Sequence, residues 1–108
     1  NKINERIIGE LFSTLTERKN SNVQKSYTSY LNKNPELLAK KIVEESSELI
    51  IDFIKKNKEG VIKESSDLLY HLLVIWTSIG IEPEEIWKEL SSRKSISGLQ
   101  EKKNRGKK

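Results

Sequence analysis

Between Pro35 and Ile79 the apolar residues recur at intervals of three and four, and the pattern breaks once, at the polar run Lys55-Lys56-Asn57-Lys58-Glu59-Gly60. So short a connection between two long helices favours an antiparallel pair, so a helical hairpin is the expected centre of the fold. Asn34-Pro35 marks its start, because Asn can cap the free backbone N–H groups of a helix and Pro is tolerated at the first helical position. The first long helix should run to about Lys56 and the second from about Gly60 to Ser78. Gly80 then stops the chain, and Pro83 opens a further helix with Ile86, Trp87 and Leu90 inward.

Ahead of the hairpin, Ile3 to about Arg18 reads as a helix with Ile7, Ile8, Leu11, Phe12 and Leu15 on one stripe, followed by a loop at Lys19-Asn20-Ser21-Asn22. Ser26-Tyr27-Thr28-Ser29-Tyr30-Leu31 has room for one or two turns. No stretch alternates as a strand would, and only two prolines and five glycines occur. The expected fold class is all-α, a helical bundle.

A chain of 108 residues, 34% hydrophobic, makes one domain whose monomer buries only about two-thirds of its unfolded surface. Association of two or more chains would supply the missing apolar contact. The absence of cysteine excludes disulfides and thiolate metal sites. No apolar run approaches the roughly 20 residues that cross a bilayer, and the N-terminal residues lack the apolar centre of a signal peptide, so the cytoplasm is the expected location.

The net charge of +4 hides an asymmetry. Seven basic residues face one acid between Arg93 and Lys108, which leaves 13 basic and 15 acidic residues in positions 1–92. The chain therefore divides into a helical domain, 1–92, and a basic tail, 93–108. Such a tail is either a solvated or nucleic-acid-attracting terminus or a specific phosphate site.

Each long helix carries an acid, two other residues and a second acid. At about 100° per residue, Glu45, Glu48 and Asp52 share one flank of the stripe formed by Ile42, Leu49, Ile50 and Phe53, with Leu38 at its edge and Lys41 one turn before Glu45. Glu64, Asp67 and His71 lie likewise beside Leu68, Leu72, Ile75 and Ile79. A single acid-x-x-acid pair in a chain that is 33% charged is ordinarily a solvated face. Two pairs bordering apolar stripes on consecutive helices are a different matter, because carboxylates crowded together need a cation between them. Hard oxygen donors, with His71 as the sole nitrogen candidate, favour Mg²⁺, with Mn²⁺ as the alternative, over zinc or copper. His71 alone would more often be a hydrogen-bonded residue at the edge of the core, and Trp76 and Trp87 packing residues.

The run Lys41-Ile42-Val43-Glu44-Glu45-Ser46-Ser47-Glu48 followed by Glu64-Ser65-Ser66-Asp67-Leu68-Leu69-Tyr70-His71 resembles phosphoribosyl-ATP pyrophosphohydrolase, of the all-α nucleoside triphosphate pyrophosphohydrolase superfamily. Ser26-Tyr27-Thr28 with Leu31 is similar to that family's Ser-Tyr-Thr segment, and Ser97-Gly98-Leu99-Gln100-Glu101-Lys102-Lys103-Asn104-Arg105 to its C-terminal Ser-Gly-Leu-x-Glu-Lys-x-x-Arg. Val43 departs from the usual Gly, as does Asn34-Pro35 from a Gly-containing turn.

The resemblance implies a helical bundle completed by dimerisation, most simply a homodimer. It implies hydrolysis of phosphoribosyl-ATP to phosphoribosyl-AMP and pyrophosphate, the second step of histidine biosynthesis. By motif position Glu45, Glu48, Glu64 and Asp67 become the metal residues, with Glu44 an additional acid in the catalytic set. Lys41, His71, Lys102 and Arg105 become candidates for binding the nucleotide, the cations by direct phosphate contact. Membrane and nucleic acid are not the expected partners. Two other readings make different demands: a house-cleaning pyrophosphohydrolase would prefer other triphosphates, and a non-enzymatic helical module would bind nucleic acid through its tail.

Overall fold

A computed structural model of the chain describes residues 3–20 and 27–94. They form five helices, α1 (Arg6–Asn20), α2 (Tyr27–Asn32), α3 (Pro35–Ile54), α4 (Lys58–Ile79) and α5 (Pro83–Arg93), with no strand among the described residues. The class is all-α, as the apolar spacing requires. The ambiguous segment is helical as α2, α1 starts three residues later than expected, and the basic tail lies almost wholly outside the described residues.

The most extensive packing is between α3 and α4. Their numbers run in opposite directions along the seam, with Glu45 against His71 and Asp52 against Asn57, so the hairpin is antiparallel. Leu15 of α1, Leu31 of α2, Leu38 of α3 and Leu73, Val74 and Trp76 of α4 form the buried core. Three of the six sit within one turn of α4, which makes that turn the common wall for the other helices. Helix α5 joins through Ile86 and an edge-on contact between Trp76 and Trp87, with ring centroids 6.2 Å apart.

Several residues expected inward face outward. Ile7, Ile50, Phe53, Ile79 and Leu90 are exposed, as is much of Trp87. Helix α3 is apolar on two flanks, and a helical projection gives the angle between them without saying which one its own chain covers. The covered side is that of Leu38; Val43, Ile50, Ile51, Phe53 and Ile54 are left in solvent.

The hairpin turn uses two local devices. At the end of α3, Lys56 N–H donates to the Phe53 carbonyl at 3.0 Å and Asn57 N–H to the Asp52 carbonyl at 2.9 Å, the paired bonds of a Schellman motif. The motif needs a left-handed residue, and here that is Lys56, at φ 59°. Asn57 then caps α4: its Oδ1 accepts from Gly60 N–H at 3.2 Å while its Nδ2 donates to Asp52 Oδ1 at 3.2 Å. A Cβ on Gly60 would overlap the Asp52 carboxylate, so this glycine keeps the two helix ends close.

Gly80, at φ 76°, ends α4 in the same way, with Ile81 N–H donating to the Trp76 carbonyl at 2.8 Å. The expected cap by Asn34 is not formed. Its Nδ2 instead donates back to the Tyr30 carbonyl at 2.7 Å, because the preceding helix ends only two residues earlier and that carbonyl, which accepts from Lys33 N–H at 3.2 Å, has room for a second donor. Pro35 does occupy the first position of α3, and α5 gains a cap the sequence reading omitted, Glu82 N–H donating to Glu85 Oε2 at 2.9 Å.

Asn57→Ala should lower stability by about 1 kcal/mol through loss of the cap. Lys56→Gly should raise it by up to about 1 kcal/mol, since glycine adopts the left-handed region without the side-chain penalty. Urea unfolding followed by circular dichroism measures both, and the two midpoints should move in opposite directions.

Candidate active site

Helix α3 carries Lys41, Glu44, Glu45 and Glu48, and the facing stretch of α4 carries Glu64, Asp67 and His71. The antiparallel register brings part of this set together. Glu64 is buried, 7% exposed, and its Oε1 has no hydrogen-bond partner. Its neighbour across the seam is Glu48. A hydrogen bond with the Glu48 side chain, then burial, then the charge of Glu48, holds the Glu64 carboxyl above its ordinary range; Lys63 opposes the rise and Asp67 adds to it.

Exposed Lys63 stands beside the pair, its Nζ 3.6 Å from Glu64 Oε2 and 3.4 Å from Asp67 Oδ2. The hydrogen bond to Asp67, then the charge of Glu64, raises the pKa of its ammonium. Asp67 is thus tied outward to a surface cation, an exchangeable kind of contact.

Glu45 is held differently. Its Oε1 lies 2.7 Å from His71 Nδ1, and that nitrogen also approaches the Asp67 backbone carbonyl at 2.9 Å. Both partners can only accept, so Nδ1 carries the proton. On the far side of the ring, His71 Nε2 meets the Tyr27 hydroxyl at 3.1 Å; burial, the largest influence on it, raises the Tyr27 pKa and keeps the phenol protonated. His71 is buried, with both ring nitrogens engaged inside the protein. Tyr27 stacks on Tyr70 at 6.3 Å, and Thr28 Oγ1 lies 3.1 Å from the Tyr70 hydroxyl.

Lys41 pairs with Glu44 at 3.9 Å, with both side chains near half exposure. Lys102 and Arg105 lie outside the described residues. Among the described residues no three carboxyl or imidazole groups converge as a ready-made metal site. A groove of about 610 Å³ between α1 and the start of α5, lined by Ile8, Phe12, Pro83 and Trp87 among others, contains none of the expected site residues.

The sequence profile of phosphoribosyl-ATP pyrophosphohydrolase matches residues 8–94, which include α3, α4 and every acid just described. The chain belongs to that family. It is 39% identical over 104 residues to the phosphoribosyl-ATP pyrophosphatase of Paramagnetospirillum magneticum, covering 95% of each chain. It is 36% identical to that of Azospirillum brasilense, covering 96% of this chain and 95% of the relative, and 42% identical to that of Bacillus cytotoxicus, covering 92% and 94%.

The donor chemistry on α3 and α4 suits the hard divalent cation expected from the sequence. A buried carboxylate oxygen without a partner, beside a second carboxylate that pushes it toward protonation, is relieved by a positive charge between them. Sequence reasoning reached those acids but gave Tyr27 no role. Its signal was faint: Tyr27-Thr28 and Tyr70-His71 are two aromatic-polar dipeptides, 43 positions apart in the chain, that dock on each other in the fold.

The raised pKa of Glu64 has a definite sign in stability. Folded chain binds more protons than unfolded chain above the ordinary value of 4.5, so the contribution of Glu64 to stability falls as pH rises from there through the raised folded value. In chelated buffer at pH 7, Glu64→Gln should therefore melt at a higher temperature than wild type, and the gap should close near pH 4. Differential scanning calorimetry at the two pH values checks it.

Proposed function

We propose that this chain hydrolyses phosphoribosyl-ATP to phosphoribosyl-AMP and pyrophosphate, the second step of histidine biosynthesis, with Mg²⁺ as its cofactor. The observation that carries the reading is the similarity to phosphoribosyl-ATP pyrophosphatases over 95% or more of each chain, taken with a buried carboxylate oxygen, Glu64 Oε1, that has no hydrogen-bond partner in the matching acidic run. Pyrophosphate and a monophosphate are the products when water cleaves the anhydride between the first and second phosphoryl groups. The water oxygen ends on phosphorus and the bridging oxygen leaves with the other fragment.

Glu48 and Glu64 are the central ligands in this reading, joined by Glu45 and by Asp67 once it leaves Lys63. When bound, the ion supplies Lewis-acid chemistry, polarising phosphoryl oxygens and making water a better nucleophile. Lys41, half exposed and paired with Glu44, meets phosphate oxygens in this reading in exchange for Glu44, and Glu44 is then free to receive a proton. Lys102 and Arg105 are proposed to bring further charge from the tail, where a guanidinium can grip two oxygens at once. No described helix is long and apolar enough to cross a membrane, and a biosynthetic step on a free nucleotide suits the cytoplasm.

The reading includes a homodimer. Val43, Ile50, Ile51 and Ile54 recur at helical spacing along an exposed side of α3, and Ile62 and Leu69 do so on α4. The exposed serines Ser47, Ser65 and Ser66 lie within these rows, where small side chains let a second copy approach. An apolar face of this extent on one hairpin is what an intersubunit contact would cover.

Purified chain given phosphoribosyl-ATP and Mg²⁺ should release pyrophosphate; orthophosphate alone, no release, or a strong preference for a different triphosphate would defeat the substrate assignment. Glu48→Gln and Asp67→Asn should each lose about 100-fold or more in turnover, beyond the loss usual for residues one shell removed from a metal, with unchanged helical circular dichroism. Light scattering should give the mass of a dimer for wild type and of a monomer for Ile50→Glu.

A further inference from the structure

Glu45 differs from the other acids of the flank in being held from inside the protein. Its carboxylate is largely covered, 13% exposed, and Oε1 accepts the 2.7 Å bond from His71 Nδ1. A histidine ring can usually flip and exchange Nδ1 for a carbon, which would take that donor away. Here three things oppose the flip. The Asp67 carbonyl also accepts from Nδ1, the Tyr27 hydroxyl occupies Nε2, and the rings of Tyr27 and Tyr70 meet the imidazole edge-on at 6.0 Å and 5.2 Å.

Tyr27 comes from α2, a helix that contributes no acid. Its hydroxyl therefore connects the packing of α2 against α4 to the aim of a carboxylate on α3. A second polar contact in the same seam, Thr28 with Tyr70, does not reach Glu45 and serves as an internal control.

We infer that Tyr27 and His71 are positioning residues for Glu45: together they commit its Oε1 inward and leave Oε2 as the single oxygen it offers to a cation. The inference rests on the proposed function for the identity of Glu45 as a ligand, and it gives His71 an orienting part in place of direct contact with substrate. Hydrogen-bonded partners of ligating carboxylates typically change metal affinity by about 10- to 100-fold when removed. The effect belongs to the hydroxyl and the Nδ1 proton and not to bulk packing.

Three measurements on the full chain decide it. Mn²⁺ alone, followed by its electron paramagnetic resonance signal, should bind Tyr27→Phe about tenfold more weakly than wild type, while Thr28→Val, which loosens the same seam, should bind it as wild type does. His71→Asn retains an N–H donor near the Nδ1 position and should bind Mn²⁺ more tightly than His71→Gln, whose amide reaches the Nε2 position instead. His71 is the one histidine in the chain, so nitrogen-15 labelling of histidine gives one ring to observe, and its Nδ1 should carry a slowly exchanging proton.

Equal weakening by Tyr27→Phe and Thr28→Val, equal affinities for the two His71 variants, or an Nδ1 without a proton would each overturn the positioning role while leaving the proposed function standing. Wild-type chain that neither binds Mn²⁺ nor releases pyrophosphate overturns both.

Discussion

Two carboxyl groups that would avoid each other in water, those of Glu48 and Glu64, are held face to face across the α3–α4 seam. What forces the contact is packing elsewhere. Leu73, Val74 and Trp76 tie one turn of α4 into the core, and the Schellman turn with its Asn57 cap fixes the other end of the pair. Between two such anchors the backbones at Glu48 and Glu64 stay facing each other. The fold keeps the two groups close, the cost shows as a Glu64 carboxyl that holds its proton above the ordinary range, and a cation between them would take the place of that proton.

The hairpin is consequently graded along its length. The end near Trp76 holds the buried apolar side chains Leu38, Leu73, Val74 and Trp76; in the middle the facing side chains are acidic and only partly satisfied; at the turn they are polar and exposed. Helix α2 packs against α3 and α4, and beside the acidic middle it sets the Tyr27 hydroxyl against the His71 imidazole of α4 instead of hydrocarbon. That is why Glu45 can be covered and still have a hydrogen-bond donor, whereas Glu64 Oε1 is covered and has none.

Much of this was legible in the sequence because it is local. Pro35, Gly80 and Pro83 act on their own backbone, so the limits of α3, α4 and α5 follow from them within a few residues, and the acidic flanks follow from the helical repeat. What was not legible depends on distant partners. Ile50 and Phe53 look like core residues on a projection of α3, but nothing within the helix says which flank its own chain will cover. Asn34 looks like a cap until α2 is placed, whereupon the Tyr30 carbonyl competes for its side chain. Tyr27 and His71 lie 44 positions apart, and only packing of the helices makes them neighbours. The left-handed Lys56 gives no sign of itself at all, since lysine has neither the freedom of glycine nor the short polar side chain of asparagine that would mark such a position.

The turn at Lys56-Asn57 has one further implication, for how the chain can tolerate change in length. A helix rotates by about 100° for each residue gained or lost, so one insertion between Ile54 and Lys58 that propagated into α4 would carry Glu64, Asp67 and His71 a quarter of the way around the helix, away from Glu45 and Glu48. A substitution at an acid changes one carboxylate; a slip at the turn would displace the facing set at once. The spacing between the two acidic runs is in that sense itself a functional element, and the few hydrogen bonds from residues 55–57 back to α3 act as its ruler.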